Sequence, residues 1–361
     1  SADCHSSPIY QLIRGAHYPS FGRPHDGLGF APVMCQHSHG STGICGIVYI
    51  DGGVWGPEWD DHTFVGNVVT STVNHDKVTF TGATPKANEE PDFLTSDDPW
   101  FRPVDLQLGP DNALYIADFY NKIIGHYEVP LEHPGRDKER GRIWRVVKKG
   151  AAKPLVETNL ETRTSEELAK ALDSPNLTTR SQAVRLLSAR LLNAEEGAAA
   201  RLLGAHCQTP MQKAHGSWVA HQVSAATHKD VSFMDGNEDD YVDVHLLRRE
   251  AEEPPREWKL AVLYTLSCLH PPENPPVPRT QAAACLALRQ CRPDARGRAV
   301  TAMLAQLAAT SGSDAVLTHL LLRSSRHLLE DAKAFQETAE MLRKQGGDAA
   351  LPAEEKKEMD E

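Results

Sequence analysis

Two periodicities divide this chain. Up to about Lys149, apolar residues fall in short runs between Gly, Pro, Asn and Asp, which is the punctuation of β-strands. The stretch VDLQLGPDNALYIADFYNKIIGHYEV is the clearest case. Val104, Leu106 and Leu108 alternate with Asp105 and Gln107, so one face of a strand is buried. Gly109-Pro110-Asp111-Asn112 predicts a tight turn, because Pro presets φ and Asn tolerates positive φ. Further strands are predicted over Leu114–Ala117, Ile123–Tyr127 and, after an insertion from Val129 to Gly141, Arg142–Val147. Four consecutive antiparallel strands make one propeller blade. Upstream, Ile44–Ile50, Phe64–Val69 and Val78–Thr81 read as strands, with Asn67, Asn74 and Asp76 at turns. Pro8–Ile13 reads as the outer part of a cut blade.

From Thr164 the period becomes 3.6. Thr164 and Glu167 fit a capping box for a helix with Leu168, Ala171 and Leu172 on one side. Asp173-Ser174-Pro175-Asn176 breaks it. The next helix carries Ala183, Val184, Leu187 and Leu191 on one face, with Arg180, Gln182 and Arg185 largely off it. Helix, turn, helix over about 30 residues suggests a HEAT-type repeat. Asp173 and Arg180 fit a ladder between repeats. Trp258–Leu269, Arg279–Arg289, Arg298–Thr310 and Ala315–Gly346 are further helical stretches. The expected architecture is multidomain, β then α: a partial β-propeller of about three blades, then an α-helical HEAT-like segment. Residues 1–149 are the blades, 150–163 a linker, 164–346 the helices, with loops near 228–243 and 271–278, and 347–361 a charged tail. Three blades leave a ring open, and position 1 is Ser, so the chain reads as an internal fragment of a longer protein.

A length of 361 residues accommodates two domains. The net charge of −11 argues against nucleic acid or an anionic membrane surface as a partner. No apolar run reaches the roughly 18 residues of a membrane span. Seven cysteines cannot all pair within the chain. Cys35 and Cys45 either bridge or remain buried thiols.

Several strings then carry a resemblance. ADCHSSPIYQLIRGAHYPSFGRPHDGLGFAP, GNVVTSTVN, SDDPWFRPVDLQLGPDNALYIADFYNKIIGHYEVPLEHPGRDKERGRIWRV and LDSPNLTTRSQAVRLL resemble the bacterial membrane-bound dehydrogenase-like family. The similarity covers nearly all of residues 1–148 and fades after about Leu192. Asp118-x-x-Asn121-x-x-Ile124 also resembles an NHL-type propeller repeat. The resemblance implies an exported, periplasmic or envelope-associated oxidoreductase acting on a sugar or polyol. It further implies pyrroloquinoline quinone (PQQ) and calcium as cofactors, and electrons passed to a c-type cytochrome domain or protein. The haem signature Cys-x-x-Cys-His is absent: Cys4-His5 is nearest, with Ser1 where the other cysteine would fall. The rival class is a non-catalytic propeller and HEAT scaffold binding a glycan or protein.

Quinone-dependent alcohol oxidation needs a base, cations for the cofactor's carboxylates and a metal with oxygen ligands. His39 and His5 are the candidate bases. His37 and His39 form a His-x-His pair able to bind a transition metal, to supply the base, or to hydrogen bond at the surface. Arg102 is the leading anion holder, with pairing to Asp97, Asp98 or Asp105 as its structural alternative. Asp3, His37, His25 and Asp26 complete the candidate cofactor contacts. Asp118 and Asn121 fit either turn locks or metal ligands. The basic loop His133–Gly141 is a candidate docking site for a partner, or simply solvated.

Overall fold

The computed structural model describes residues 9–19, 29–40, 43–125, 129–150, 159–195, 197–229, 231–233, 239–252, 265, 268, 277–291, 295–310, 313–330, 336 and 338–340. The chain forms two antiparallel sheets followed by helices, divided after Leu246 into two compact units.

The first sheet runs β1 (Ile44–Ile50), β2 (His62–Asn67), β3 (Thr72–Thr81), β4 (Thr84–Thr95), each strand beside its sequence neighbour. The second runs β5 (Pro103–Leu108), β6 (Leu114–Asp118), β7 (Arg142–Val146). Side chains alternate across the pleat, so adjacent Phe64 and Val65 enter different cores. Phe64, Ile50 and Val73 pack with Trp55, Phe101, Leu106, Leu108, Leu114 and Ile116 between the two sheets. On the opposite face Ile44, Val65, Val78 and Ala87 are covered by Ile9, Met34 and Cys35. The middle of the first sheet, β2 and the first half of β3, is thus buried on both sides.

Two glycines permit the close approach of the sheets. Gly46 lies at a bulge in β1 with φ 57°, and a Cβ there would stand 2.6 Å from Asp105 Cα. At Gly66 a Cβ would meet the Pro103 carbonyl oxygen at 2.4 Å.

Several expectations need correction. Among the described residues the second sheet has three strands: β7 pairs directly with β6, and residues 123–125 form no strand, while the 126–127 part of the expected strand lies outside the described residues. The Arg136 guanidinium captures the carbonyls of Ile123, Gly125 and Val129, and its Nε that of Pro130, so these carbonyls are met by a side chain and not by a neighbouring strand. Residues 9–13 also form no strand; Ile9 is a core plug. Asn67, Asn74 and Asp76 are buried strand residues, not turn residues. Strand β4 escapes a pattern reading because its sequence, TPKANEEPDFLT, alternates little. Of the two readings for Cys35 and Cys45, the structure has the thiols: no disulfide joins them, and each donates to a carbonyl, of His37 and Pro103 respectively.

The helices begin as expected. Thr164 and Glu167 close the capping box of α1 (Ser165–Ala171), and Asn176 caps α2 (Leu177–Leu191). Then come α3 (Ala198–His206) and α4 (Pro210–Thr227), which was not foreseen. Leu168, Leu172, Leu187, Leu203 and Val219 make their common core. These four helices belong to the same unit as the sheets. Asn176 Nδ2 donates to Gly109 O (2.8 Å) and Asn112 Oδ1 (2.7 Å), and Thr178 Oγ1 donates to Leu108 O (2.6 Å). Helix α5 (Asp240–Glu252) starts inside the expected 228–243 loop, since Asp240 and Asp243 favour a helix N-terminus. Within the second unit, α6 (Pro278–Leu288), α7 (Arg296–Ala309) and α8 (Ala315–Leu329) bury Cys285, Leu288, Val300, Met303 and Leu321, with α8 against both α6 and α7. Most of Trp258–Leu269, nearly all of the 271–278 loop, the 151–158 part of the linker and the 347–361 tail lie outside the described residues. Among the described residues no helix is long and apolar enough to cross a membrane.

Arg180 is buried, contrary to its expected position off the packed face, and it makes no ladder with Asp173. Its guanidinium donates to the Ser174 and Pro175 carbonyls and, through Nε, to His215 Nε2 at 3.0 Å. Asp173 instead accepts from Thr209 Oγ1. His215 must therefore present a lone pair to a cation. Burial first, then the Arg180 charge, holds its pKa down to about 4 from 6.5. A depressed histidine pKa stabilises the fold above the unfolded value and loses that stabilisation as pH falls toward the folded one. Lowering pH from 6.5 to 4 is expected to remove up to ~3 kcal/mol through this residue. Urea midpoints of the native chain and a His215→Gln variant across that range check it. Parallel pH dependences in the two would contradict the assignment.

Candidate functional site

The covered face of the first sheet carries a histidine–carboxylate cluster. Asp76 of β3 sits directly across the ladder from Glu89 of β4. Two carboxylates facing one another on a sheet repel and call for a cation or donors between them. Segment 29–40 supplies them. His37 Nε2 lies 2.7 Å from Asp76 Oδ1, and His39 Nε2 lies 2.8 Å from Asp76 Oδ2. The His39 Nδ1 stands 3.5 Å from Glu89 Oε1. The two rings meet edge to face, centroids 4.8 Å apart. Side-chain exposure is graded: 0% for Asp76, 1% for His39, 20% for His37 and 53% for Glu89.

Neighbouring amides fix this arrangement. Asn67 Nδ2 donates to the His39 carbonyl and to Asn74 Oδ1, and Asn74 Nδ2 donates to Asp92 Oδ1. Burial pulls the His39 pKa down, but the Asp76 hydrogen bond and charge, with Glu89 and Asp92, outweigh it and hold it above 6.5. Cys35 Sγ donates to the His37 carbonyl and lies 3.5 Å from His37 Nε2. Burial, opposed by that bond and reinforced by Asp76 and Glu89, pushes the thiol up to about 11, so it is no nucleophile at neutral pH.

His37 and His39 are thus brought together. Asp76, Glu89 and Cys35 escaped sequence reasoning. Their signal was the period-2 row Asn74, Asp76, Val78, which puts a carboxylate on an inward face. Asp3, His5, His25 and Asp26 lie outside the described residues.

A second imidazole pair lies on the sheet's other face. His62 Nδ1 is 2.6 Å from His75 Nε2, among Trp59, Phe64 and Phe93. Burial, with Lys77 acting on His62 and His62 on His75, keeps both below the ordinary histidine value. This neutral pair extends the aromatic core.

The remaining candidates are committed to the backbone. Arg102 donates to Ser71 Oγ (2.7 Å), to Asn121 O (3.0 Å) and to the carbonyls of Lys122 and Phe101. It pairs with none of the aspartates expected. Asp118 accepts from Arg102 N, Tyr120 N and Trp144 Nε1. Asn121 bonds Asp137 O and Ile123 N. In the basic loop Asp137 accepts from Glu139 N and Arg140 N and pairs with the Arg140 side chain, and Arg142 stacks on Tyr120. Among the described residues, the candidate anion holder Arg102 and the candidate oxygen ligands Asp118 and Asn121 are therefore already engaged by the protein itself.

Arg102→Met is expected to cost about 2–4 kcal/mol, because it leaves buried carbonyls and Ser71 without their donor. Chemical denaturation reads this directly. Unchanged stability would mean the guanidinium is available to a ligand after all.

Residues 8–150 match a domain of unknown function, DUF7133. The match spans both sheets and the segment bearing His37 and His39 and ends ahead of α1. No curated protein and no solved structure matches the chain.

Proposed function

We propose that the two described sheets are neighbouring blades of a β-propeller spanning residues 1–149, and that the His37–Asp76–His39 cluster engages a hydroxyl of a sugar or polyol in an oxidoreductase-like protein. The carrying observation is that one fully buried carboxylate holds two imidazoles, one on each oxygen. Such a carboxylate fixes ring orientation and stabilises the imidazolium that forms on proton uptake. His37 is the ring of the pair that solvent reaches, so it is the base in this reading. Its Nε2 faces Asp76, and Nδ1, with Cys35 Sγ 3.6 Å away, is the nitrogen that would accept the hydroxyl proton. His39 lies behind it.

The propeller reading is supported by two successive meanders whose faces share a core, with β1 lying against β5. Stacking of α1 on α3 and α2 on α4 supports HEAT-like repeats. The resemblance adds an exported location and a c-type cytochrome acceptor. No step is assigned to PQQ. The engagement of Arg102, Asp118 and Asn121 favours a second reading, a scaffold that binds a glycan or protein without turnover.

Dye reduction by the purified chain with a panel of sugars and polyols, with and without added PQQ and calcium, separates the two. The expected result is turnover only where the added PQQ and calcium supply the two-electron oxidant, falling on the order of 100-fold in His37→Asn. Binding without turnover in the unaltered chain would leave the scaffold reading.

A further inference from the structure

We infer that His37, His39 and Glu89 form a binding site for one divalent transition-metal ion of zinc's class, with Asp76 as the carboxylate that orients both imidazoles. Each histidine directs Nε2 at an Asp76 oxygen, 2.7 Å for His37 and 2.8 Å for His39. A carboxylate accepts, so both Nε2 atoms carry hydrogen, and in the neutral rings the lone pair moves to Nδ1. Metal-ligating histidines are built this way, one nitrogen on a carboxylate and the other on the ion.

The donors stand near one another, and an ion would have to draw them closer. Ligand atoms of His37, His39 and Glu89 all lie within 4.8 Å of one another. His39 Nδ1 and Glu89 Oε1 are 3.5 Å apart, too long for a good hydrogen bond. Two ligands at zinc bond lengths of about 2.0–2.1 Å in a tetrahedron stand about 3.3 Å from each other. Charge points the same way. Asp76 and Glu89 oppose one another across the ladder, Asp92 is close by, and a divalent ion offsets them better than one imidazolium. Two imidazoles and a carboxylate select zinc or a neighbour in the series over calcium, which takes oxygen ligands. Three protein ligands leave a fourth position for water or a hydroxyl. Cys35 Sγ stands 3.5 Å from His37 Nε2 and 3.6 Å from His37 Nδ1, so a thiol lies beside the nitrogen that would face the ion.

The inference deepens the hydroxyl-binding reading at the same site while standing on donor geometry alone. An ion uses the lone pair that the base reading gives to His37, so activation of a hydroxyl would pass from imidazole to metal.

Cobalt titration into the chelator-treated 361-residue chain tests it. One cobalt per chain is expected, with the intense visible bands of a tetrahedral site, displaced by zinc. Glu89 is half exposed, so Glu89→Gln should fold normally and lose the bands, as should His37→Asn. Asp76→Asn should weaken binding on the order of 10–100-fold. Octahedral cobalt only, or binding that survives Glu89→Gln combined with His37→Asn, overturns the site. Turnover is read separately. Cobalt bound without turnover upholds the metal site and removes the catalytic reading; His37-dependent turnover with no metal bound does the reverse.

Discussion

A carboxylate with no exposed surface, as Asp76 has, requires neighbours that meet both of its oxygens. Its cross-strand partners do not meet them: Glu89 is another acid, and the Thr63 hydroxyl on the other side makes no hydrogen bond. The donors come from a segment far away in sequence, which reaches across the sheet with His37 and His39. The same segment brings Met34 and Cys35 onto Val65, Val78 and Ala87. Electrostatic need and apolar burial therefore fix one register between loop and sheet. A site in which both imidazoles have a set orientation is a consequence of that register.

The rest of the first unit follows a similar logic of engaged polar groups. Arg102 holds Ser71 and the backbone after β6, while Asp118 accepts from Arg102 N and from Trp144 of β7. Asn176 joins the β5–β6 turn to the start of α2. Each of these side chains closes a connection between elements. That engagement removes them from ligand chemistry and leaves the face above β3 and β4 as the chemically open part of the described residues.

Legibility from sequence tracked how local the determining interaction was. The β5–β6 turn was readable because Asn112 does adopt φ 61°, and the α1 cap because Thr164 and Glu167 meet within one turn. Strand β4 was not, since both of its faces are largely polar. The loop after Asn121 resembled a strand in its apolar content, but Arg136 captures its carbonyls. His37 and His39 were legible as a pair from their spacing. Their partners were not, because Asp76 is 37 residues or more away from them and lies among residues that read as a turn. Arg180 was misplaced for a related reason: its buried position depends on His215 of a helix that composition did not announce.

The central claim is that Asp76 sets the state of the imidazoles above it. A nuclear magnetic resonance titration of the histidine ring protons, in chelator and with Asp76→Asn beside the native chain, measures that directly. His39 is expected to ionise above 6.5 in the native protein and to fall when the Asp76 charge is removed. The stabilisation it gives is present below the ordinary histidine value and is lost as pH rises through the raised one. A His39 that titrates at the ordinary value, unmoved by Asp76→Asn, would contradict the account.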